Sequence, residues 1–113
     1  MAAITVTEVS RDGSTVQAWS GVSPGGDTFA NDGQTMVEFD NRSATTALTV
    51  SSDAPFNCDQ GFDHNLSVVI AVTTARLIGP FPRSHYGETV SLTYANVVTG
   101  SHYLRAVRLP RTA

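Results

Sequence analysis

The sequence contains no lysine. All seven basic residues are arginine, and ten acidic residues outnumber them, which gives a formal charge of −3 at pH 7. A general nucleic-acid-binding surface needs a concentrated positive field, so this balance argues against DNA or RNA as a partner. The use of arginine alone reflects either codon usage or a need for interface contacts, since the planar guanidinium makes bidentate and stacking interactions.

Cysteine and long apolar runs are also scarce. The single Cys58 excludes an internal disulfide framework and a cysteine-based zinc cage. No segment approaches the ~20 apolar residues of a membrane span, and the N-terminal MAAITVTEVS lacks the layout of a signal peptide. We therefore expect neither membrane insertion nor secretion, and a single domain over residues 1–113.

β-Branched residues are abundant instead. Fourteen Thr, thirteen Val and three Ile favour strands over helices because their χ1 angles are restricted. Short alternating segments recur at a spacing of about ten residues, separated by Gly and Pro. These features predict an all-β protein, a single β-sandwich of about seven or eight antiparallel strands with jelly-roll or immunoglobulin-like topology. Residues 1–10 are either an N-terminal arm or an edge strand.

The alternation also predicts which residues form the core. Apolar side chains of one parity in each strand should face inward, between two sheets. The predicted core residues are Val37, Phe39, Leu48, Val50, Val68, Ile70, Val72, Leu77, Val90, Leu92, Tyr94 and Val107. The Gly-, Asp- and Pro-rich segments Ser23–Gly33, Ser51–Asn65 and Gly79–Gly87 are expected to be loops.

Metal-binding patterns are weak. His64, His85 and His102 have none of the spacings of metal ligands, and we expect them to be structural. The segment Asn57-x-Asp59-x-Gly61-x-Asp63 resembles a calcium loop but departs from the EF-hand pattern, with no Glu at the twelfth position. An ordinary loop with Asx turns is the alternative. We predict no metal and no cofactor.

Catalytic patterns are equally weak. Glu38 and Asp40 share one face of a strand, about 7 Å apart, but on an antiparallel sheet such a face is usually just solvated. No nucleophile elbow is present, and no Ser or Cys has an identifiable base. We therefore predict no catalytic residues and a protein that is not an enzyme.

Aromatic residues in the polar loops are the candidate contact residues. An aromatic side chain in such a loop either anchors the loop to the core or reaches a partner, and aromatic residues and arginine dominate interface hot spots. Loops on a rigid β-scaffold are also common sites of binding. The predicted partner-binding residues are Phe29, Phe56, Phe62, Arg83 and Tyr86.

Four segments share a pattern with a known class of proteins. They are Asn31-Asp32-Gly33-Gln34-Thr35, the LIGPFP turn at residues 77–82, the strand Thr89–Tyr94 and the closing Ala106–Leu109. Together they resemble small virion proteins of tailed bacteriophages over residues 31–109. The resemblance implies a capsid decoration (cement) or other head-associated protein, made in the host cytoplasm and located on the capsid surface of the virion. It identifies no catalytic residue.

The resemblance also implies the partners. A decoration protein binds the major capsid protein, and many such proteins are trimers, so by analogy we expect a homotrimer. Self-association is favoured further because lysine, a common guard of exposed sheet edges, is missing. The alternatives are a carbohydrate- or host-surface-binding module of a phage fibre or adhesin, and a head–tail or tail component.

Overall fold

The computed structural model describes residues 2–8, 19–53 and 65–108. In this part of the chain, strands account for 53% of the residues and one short turn of helix is present. Phe56, Phe62, Cys58, His64 and the 57–63 segment lie outside the described residues. The elements are β1 (Ala2–Ala3), β2 (Val6–Glu8), β3 (Ser20–Gly21), β4 (Asp27–Ala30), β5 (Thr35–Asn41), β6 (Leu48–Ser52), β7 (Leu66–Ile70), β8 (Ala75–Ile78), α1 (Arg83–Tyr86), β9 (Thr89–Ala95) and β10 (His102–Arg108).

The strands form two mixed sheets of five strands, which confirms the all-β prediction. The first sheet has the order β1-β4-β9-β6-β7, and the second has the order β2-β10-β5-β8, with β3 also paired to β10. The pairs β1–β4 and β2–β10 are parallel, and the other described pairs are antiparallel. The expectation of purely antiparallel strands is therefore wrong for residues 2–8. This segment runs parallel first to β4, through β1, and then to β10, through β2.

Both sheets contribute to one hydrophobic core. Most of the predicted core is confirmed, because alternation in β5, β6, β7 and β9 gives the correct inward parity. Val68 and Tyr94 are partly buried and pack against the core, and Val72 is half-buried. The predicted residues that are fully buried are Val37, Phe39, Leu48, Val50, Ile70, Val90 and Leu92.

The inward parity of β8 and β10 differs from the prediction. Leu77 is 58% exposed, and its neighbour Ile78 is buried opposite Val37. In β10, Leu104 and Ala106 are buried, whereas Val107 is only partly buried on the other face. The register with β5 places Leu104 opposite Phe39 and Ala106 opposite Val37, so the cross-strand neighbours decide the parity rather than side-chain bulk.

The segment Ser23–Gly33 is not a continuous exposed loop, because it contains β4. Asp27 and Phe29 in this strand are buried, and β4 pairs with β1 on one side and with β9 on the other. The Gly- and Asp-rich composition of the segment is typical of a loop. The strand forms because distant parts of the chain supply its hydrogen bonds.

The segment Gly79–Gly87 contains α1 and no strand, as its two prolines predict. Gly79 follows β8 with φ +122° and a cis peptide bond to Pro80. A Cβ at position 79 would lie 3.1 Å from the Thr35 carbonyl oxygen and 3.2 Å from Met36 Cα. The chain therefore needs glycine here to pass close to β5 before it turns into α1.

Hydrogen bonds from buried polar side chains hold the loop that connects β5 to β6. Asn41 Nδ2 donates hydrogen bonds of 3.0 Å to the carbonyl oxygens of Thr46 and Ile70, and Asn41 Oδ1 accepts one from the Ser43 N–H. His102 Nδ1 accepts the Val98 N–H, so Nε2 carries the proton and donates to the Thr46 carbonyl oxygen. These contacts give His102 a structural role.

Candidate interaction surface

The outer face of the second sheet, opposite the core, carries two groups in which an arginine lies between an aromatic ring and a carboxylate. The alternation of β5 and β10 produces this face, since every second residue of each strand points away from the core. We call it the Arg–aromatic face. It consists of Trp19, Glu38, Asp40, Arg42, Tyr103 and Arg105.

Arg105 is the centre of the first group. It lies directly opposite Glu38 in the β10–β5 register, and its Nε donates to Glu38 Oε1 at 2.8 Å. On its other side, the guanidinium carbon is 4.1 Å from the centroid of the Trp19 ring. Trp19 immediately precedes β3, which pairs with β10, so three neighbouring strands hold the three side chains in a row.

Arg42 is the centre of the second group. Its Nε donates to Asp40 Oδ2 at 2.8 Å, and its guanidinium carbon lies 4.3 Å from the centroid of the Tyr103 ring. Asp40 and Tyr103 are opposite each other in the β5–β10 register. The Tyr103 hydroxyl donates to the Gly100 carbonyl oxygen at 2.8 Å, which fixes the ring.

The two groups suit contact with another molecule. Each carboxylate is matched by a guanidinium, so the face has little net charge to desolvate, and each arginine keeps N–H donors that its carboxylate does not use. Each guanidinium is already held between a ring and a carboxylate, so less side-chain entropy is lost when a partner binds. Arginine, tryptophan and tyrosine are also the residue types enriched in interface hot spots.

Glu38 and Asp40 share the outer face, as the alternation predicts, but they do not form a carboxylate pair. Each instead forms an ion pair with its own arginine at 2.8 Å. Within the described residues, no group of three or more His, Cys, Asp or Glu side chains is arranged to hold a metal ion.

The structure places Phe29 and Tyr86, two of the predicted partner-binding residues, in the core. Phe29 is 2% exposed and Tyr86 is 8% exposed. The Phe81 ring lies between them, with its centroid 5.5 Å from that of Phe29 and 5.1 Å from that of Tyr86, both in edge-to-face geometry. The prediction is therefore wrong for these two aromatic residues, because they anchor their segments to the core and leave almost no surface for a partner.

Arg83 is the predicted contact residue that the structure places at the surface. It begins α1, is exposed, and pairs with Glu88 at 3.0 Å between Nη2 and Oε1. Phe56 and Phe62 lie outside the described residues. The predicted loop surface therefore retains Arg83 as its one described contact candidate.

Two ionisable groups among the described residues have shifted pKa values, and neither belongs to the Arg–aromatic face. Burial raises the pKa of the Tyr94 hydroxyl, and the hydrogen bond and negative charge of Asp27 raise it further. Burial opposes ionisation of Asp32, but hydrogen bonds from the Gln34 N–H and the Thr35 hydroxyl, with the charge of Arg108, hold the Asp32 pKa below its usual range. Both groups have structural partners that account for the shifts.

The outer face of the first sheet has different chemistry. Within its described strands the only charged residue is Asp27, which is buried on the core side. The outward side chains are small and carry hydroxyl or methyl groups. They include Thr28, Thr49, Ser51, Ser67, Val69, Ser91 and Thr93.

None of the residues of the Arg–aromatic face belongs to the predicted partner-binding set. Arg105 and Tyr103 lie on this face because Leu104 and Ala106 face the core, whereas the prediction places Val107 inward. The signal was present as the alternation Tyr-Leu-Arg-Ala-Val-Arg at residues 103–108. The stacking of Trp19 on Arg105 depends on pairing between distant segments, which no local pattern reveals.

Comparison of the chain with known protein families, curated proteins and solved structures finds no match. No helix among the described residues has the length and apolarity needed to cross a membrane. The geometry itself defines the candidate site: an outer sheet face that carries two groups, each with an arginine between an aromatic ring and a carboxylate.

Proposed function

We propose that this chain is a structural virion protein of a tailed bacteriophage that binds and stabilises the capsid surface, as a decoration (cement) protein without catalytic activity. The observation that carries the proposal is the Arg–aromatic face, with its two arginines held between rings and carboxylates. The sequence resemblance over residues 31–109 supports the same role. Repetition over a symmetric shell would multiply modest contacts into stable attachment.

The partner in this proposal is the major capsid protein, bound through the Arg–aromatic face and the neighbouring loops. The two sheets with their shared core would be the two layers of a single β-sandwich, of jelly-roll or immunoglobulin-like type. We further propose that the protein assembles as a homotrimer on the capsid. Light scattering of the purified protein tests the trimer, and a monomer both in solution and on the particle contradicts it.

A carbohydrate- or host-surface-binding module is the alternative function. Sugar stacking needs open aromatic rings, and the sequence offers Trp19, Tyr86 and Tyr103 as candidates. Tyr86 is buried, and a guanidinium covers one face of each of the other two rings. This arrangement favours a protein partner over a sugar.

The test uses capsids that lack the protein, to which purified variants are added. Replacing Trp19 and Arg105 by Ala removes one complete group of the Arg–aromatic face, and we expect occupancy on the particles to require at least about tenfold more protein. Thr93→Ala on the first sheet is the matched control and should bind like the wild type. The proposal fails if the double variant is folded and decorates particles at wild-type occupancy.

A further inference from the structure

The edges of the two sheets are bordered differently on the two sides of the molecule. Residues 2–8 lie along one edge of both sheets, with β1 on β4 and β2 on β10. At the other end of the described strand orders are β7 in the first sheet and β8 in the second, joined by residues 71–74. Within the described residues, β8 therefore has a strand partner, β5, on one side alone.

The hydrogen-bond pattern shows which backbone groups of β8 face its open edge. The Asn41 N–H donates to the Thr74 carbonyl oxygen at 2.9 Å, so positions 41 and 74 form a hydrogen-bonded pair. Such pairs alternate along an antiparallel ladder, so Arg76 and Ile78 direct their backbone groups towards β5. Ala75 and Leu77 direct their N–H and C=O groups away from the sheet.

The side chains of β8 give this edge little protection. Ala75, Arg76 and Leu77 are exposed, and Leu77 has 58% of its surface accessible. Natural sheet edges are commonly protected by lysine, proline or other charged side chains, and of these β8 has Arg76 alone. An exposed leucine beside backbone donors and acceptors that have no strand partner among the described residues is a template for another strand.

Arg76 adds a charge to this edge. The other described arginines, at positions 42, 83, 105 and 108, each pair with a carboxylate. Among the described residues, no carboxylate lies within salt-bridge distance of Arg76. Its guanidinium makes a long contact of 3.4 Å to the Val69 carbonyl oxygen and keeps its other N–H donors.

We propose that the open edge of β8 binds an extended segment of another protein as an added strand, with an acidic residue beside Arg76 and apolar residues beside Ala75 and Leu77. The added strand would supply the missing backbone partners, and alternation would put its apolar side chains on the side of Leu77 and its carboxylate on the side of Arg76. This edge site shares no residue with the Arg–aromatic face, although Ala75 and Leu77 lie opposite Asp40 and Glu38 of that face in the β8–β5 register.

Charge decides between this occupant and a second copy. If two copies paired through β8 about a twofold axis, with Ala75 of each copy opposite Leu77 of the other, their Arg76 side chains would lie directly opposite each other with no carboxylate supplied by either strand. Like charges directly opposite each other on a sheet destabilise the pairing. An acidic segment from a different protein removes this conflict.

The probe is the capped peptide acetyl-Ser-Thr-Val-Glu-Val-Thr-Ser-amide, titrated into the isotope-labelled full chain and followed by amide NMR. We expect saturable shifts at residues 75–78. Arg76→Glu should weaken binding about fivefold to tenfold, and the same peptide with Lys in place of its Glu should restore binding to that variant. Recovery with the swapped peptide also shows that the variant is folded.

Ser91→Glu, on a strand flanked by two others, is the control and should leave the affinity unchanged. The proposal is overturned if Arg76→Glu binds the acidic peptide as well as the wild type does, or if the shifts lie away from β8. It is also overturned if the amides of residues 75–78 shift with protein concentration alone, because the occupant would then be a second copy.

Discussion

At the residue scale, a hydrogen bond between Tyr94 and Asp27 joins the neighbouring strands β9 and β4 on the core side of the first sheet. The Tyr94 hydroxyl donates to Asp27 Oδ2 at 2.7 Å, and the same oxygen accepts the Ser23 N–H at 3.2 Å. Asp27 is fully buried, and its Oδ1 has no hydrogen-bond partner. The Tyr94 ring also packs edge-to-face on Phe39, with centroids 6.0 Å apart. The hydroxyl proton is therefore important for holding this pair in the interior.

Alkaline pH should expose that dependence. The Tyr94 pKa is raised in the folded state from its ordinary value of 10.0, so as pH rises the unfolded chain loses this proton first. The contribution of Tyr94 is fully present below about pH 10 and is lost as the pH rises above that value. We expect Tyr94→Phe to be less stable near neutral pH by about 1–3 kcal/mol, with a shallower decline in unfolding free energy above pH 10. Denaturant unfolding at a series of pH values measures both slopes, and equal slopes would contradict the assignment.

At the element scale, the sequence predicts a strand and its inward residues well where one face of the strand meets solvent and the other faces the core. The alternation of β5, β6, β7 and β9 gives their positions and inward residues. It fails for β4, whose Gly- and Asp-rich surroundings are typical of a loop, and for the parity of β8 and β10. In these three cases the outcome depends on which distant strand pairs alongside, and local propensity carries no information about that.

The candidate surface is likewise predictable only in part, because some of its features follow from local alternation and others from the pairing of distant strands. The outward placement of Glu38 and Asp40 follows from alternation, and arginine is expected at contacts because of its side-chain chemistry. That Arg105 joins Trp19 to Glu38 requires β3, β5 and β10 to be neighbours, which links residues far apart in the chain. Phe29 and Tyr86 fail as contact residues for the same reason, since Phe81 brings both into the core.

Phe29 should therefore act through stability rather than through binding. Replacing this buried ring by Ala leaves a cavity beside Phe81, and we expect a loss of about 3–5 kcal/mol in the free energy of unfolding. Arg83→Ala, on an exposed ion pair, should change stability by less than about 1 kcal/mol. Thermal or denaturant unfolding distinguishes the two variants. A Phe29→Ala protein with wild-type stability would contradict the anchoring role and favour a surface contact at Phe29 instead.

At the scale of the whole molecule, the surfaces are divided by chemistry. One outer face carries arginines, aromatic rings and carboxylates, and the other carries hydroxyl and methyl groups within its described strands. One side of both sheets is lined by residues 2–8, and the other ends in β7 and β8. These unlike surfaces support the proposal that the protein is a subunit of a larger assembly, with a different neighbour on each surface.

The lining of that side by residues 2–8 is itself testable. The Ile4 N–H donates to the Thr28 carbonyl oxygen at 2.8 Å, and Ile4 and Val6 are partly buried and pack against the core. Replacing both by Asn should loosen the segment and cost about 2 kcal/mol, since neither side chain is fully buried. Hydrogen exchange should then accelerate at amides of β4 and β10 that face β1 and β2, while the β6–β7 amides keep their protection. Thr5→Asn, at an exposed position of the same segment, should leave exchange unchanged. Equal acceleration in every strand would contradict this expectation. It would mean that residues 2–8 do not detach from the two sheet edges on their own but unfold only together with the whole core.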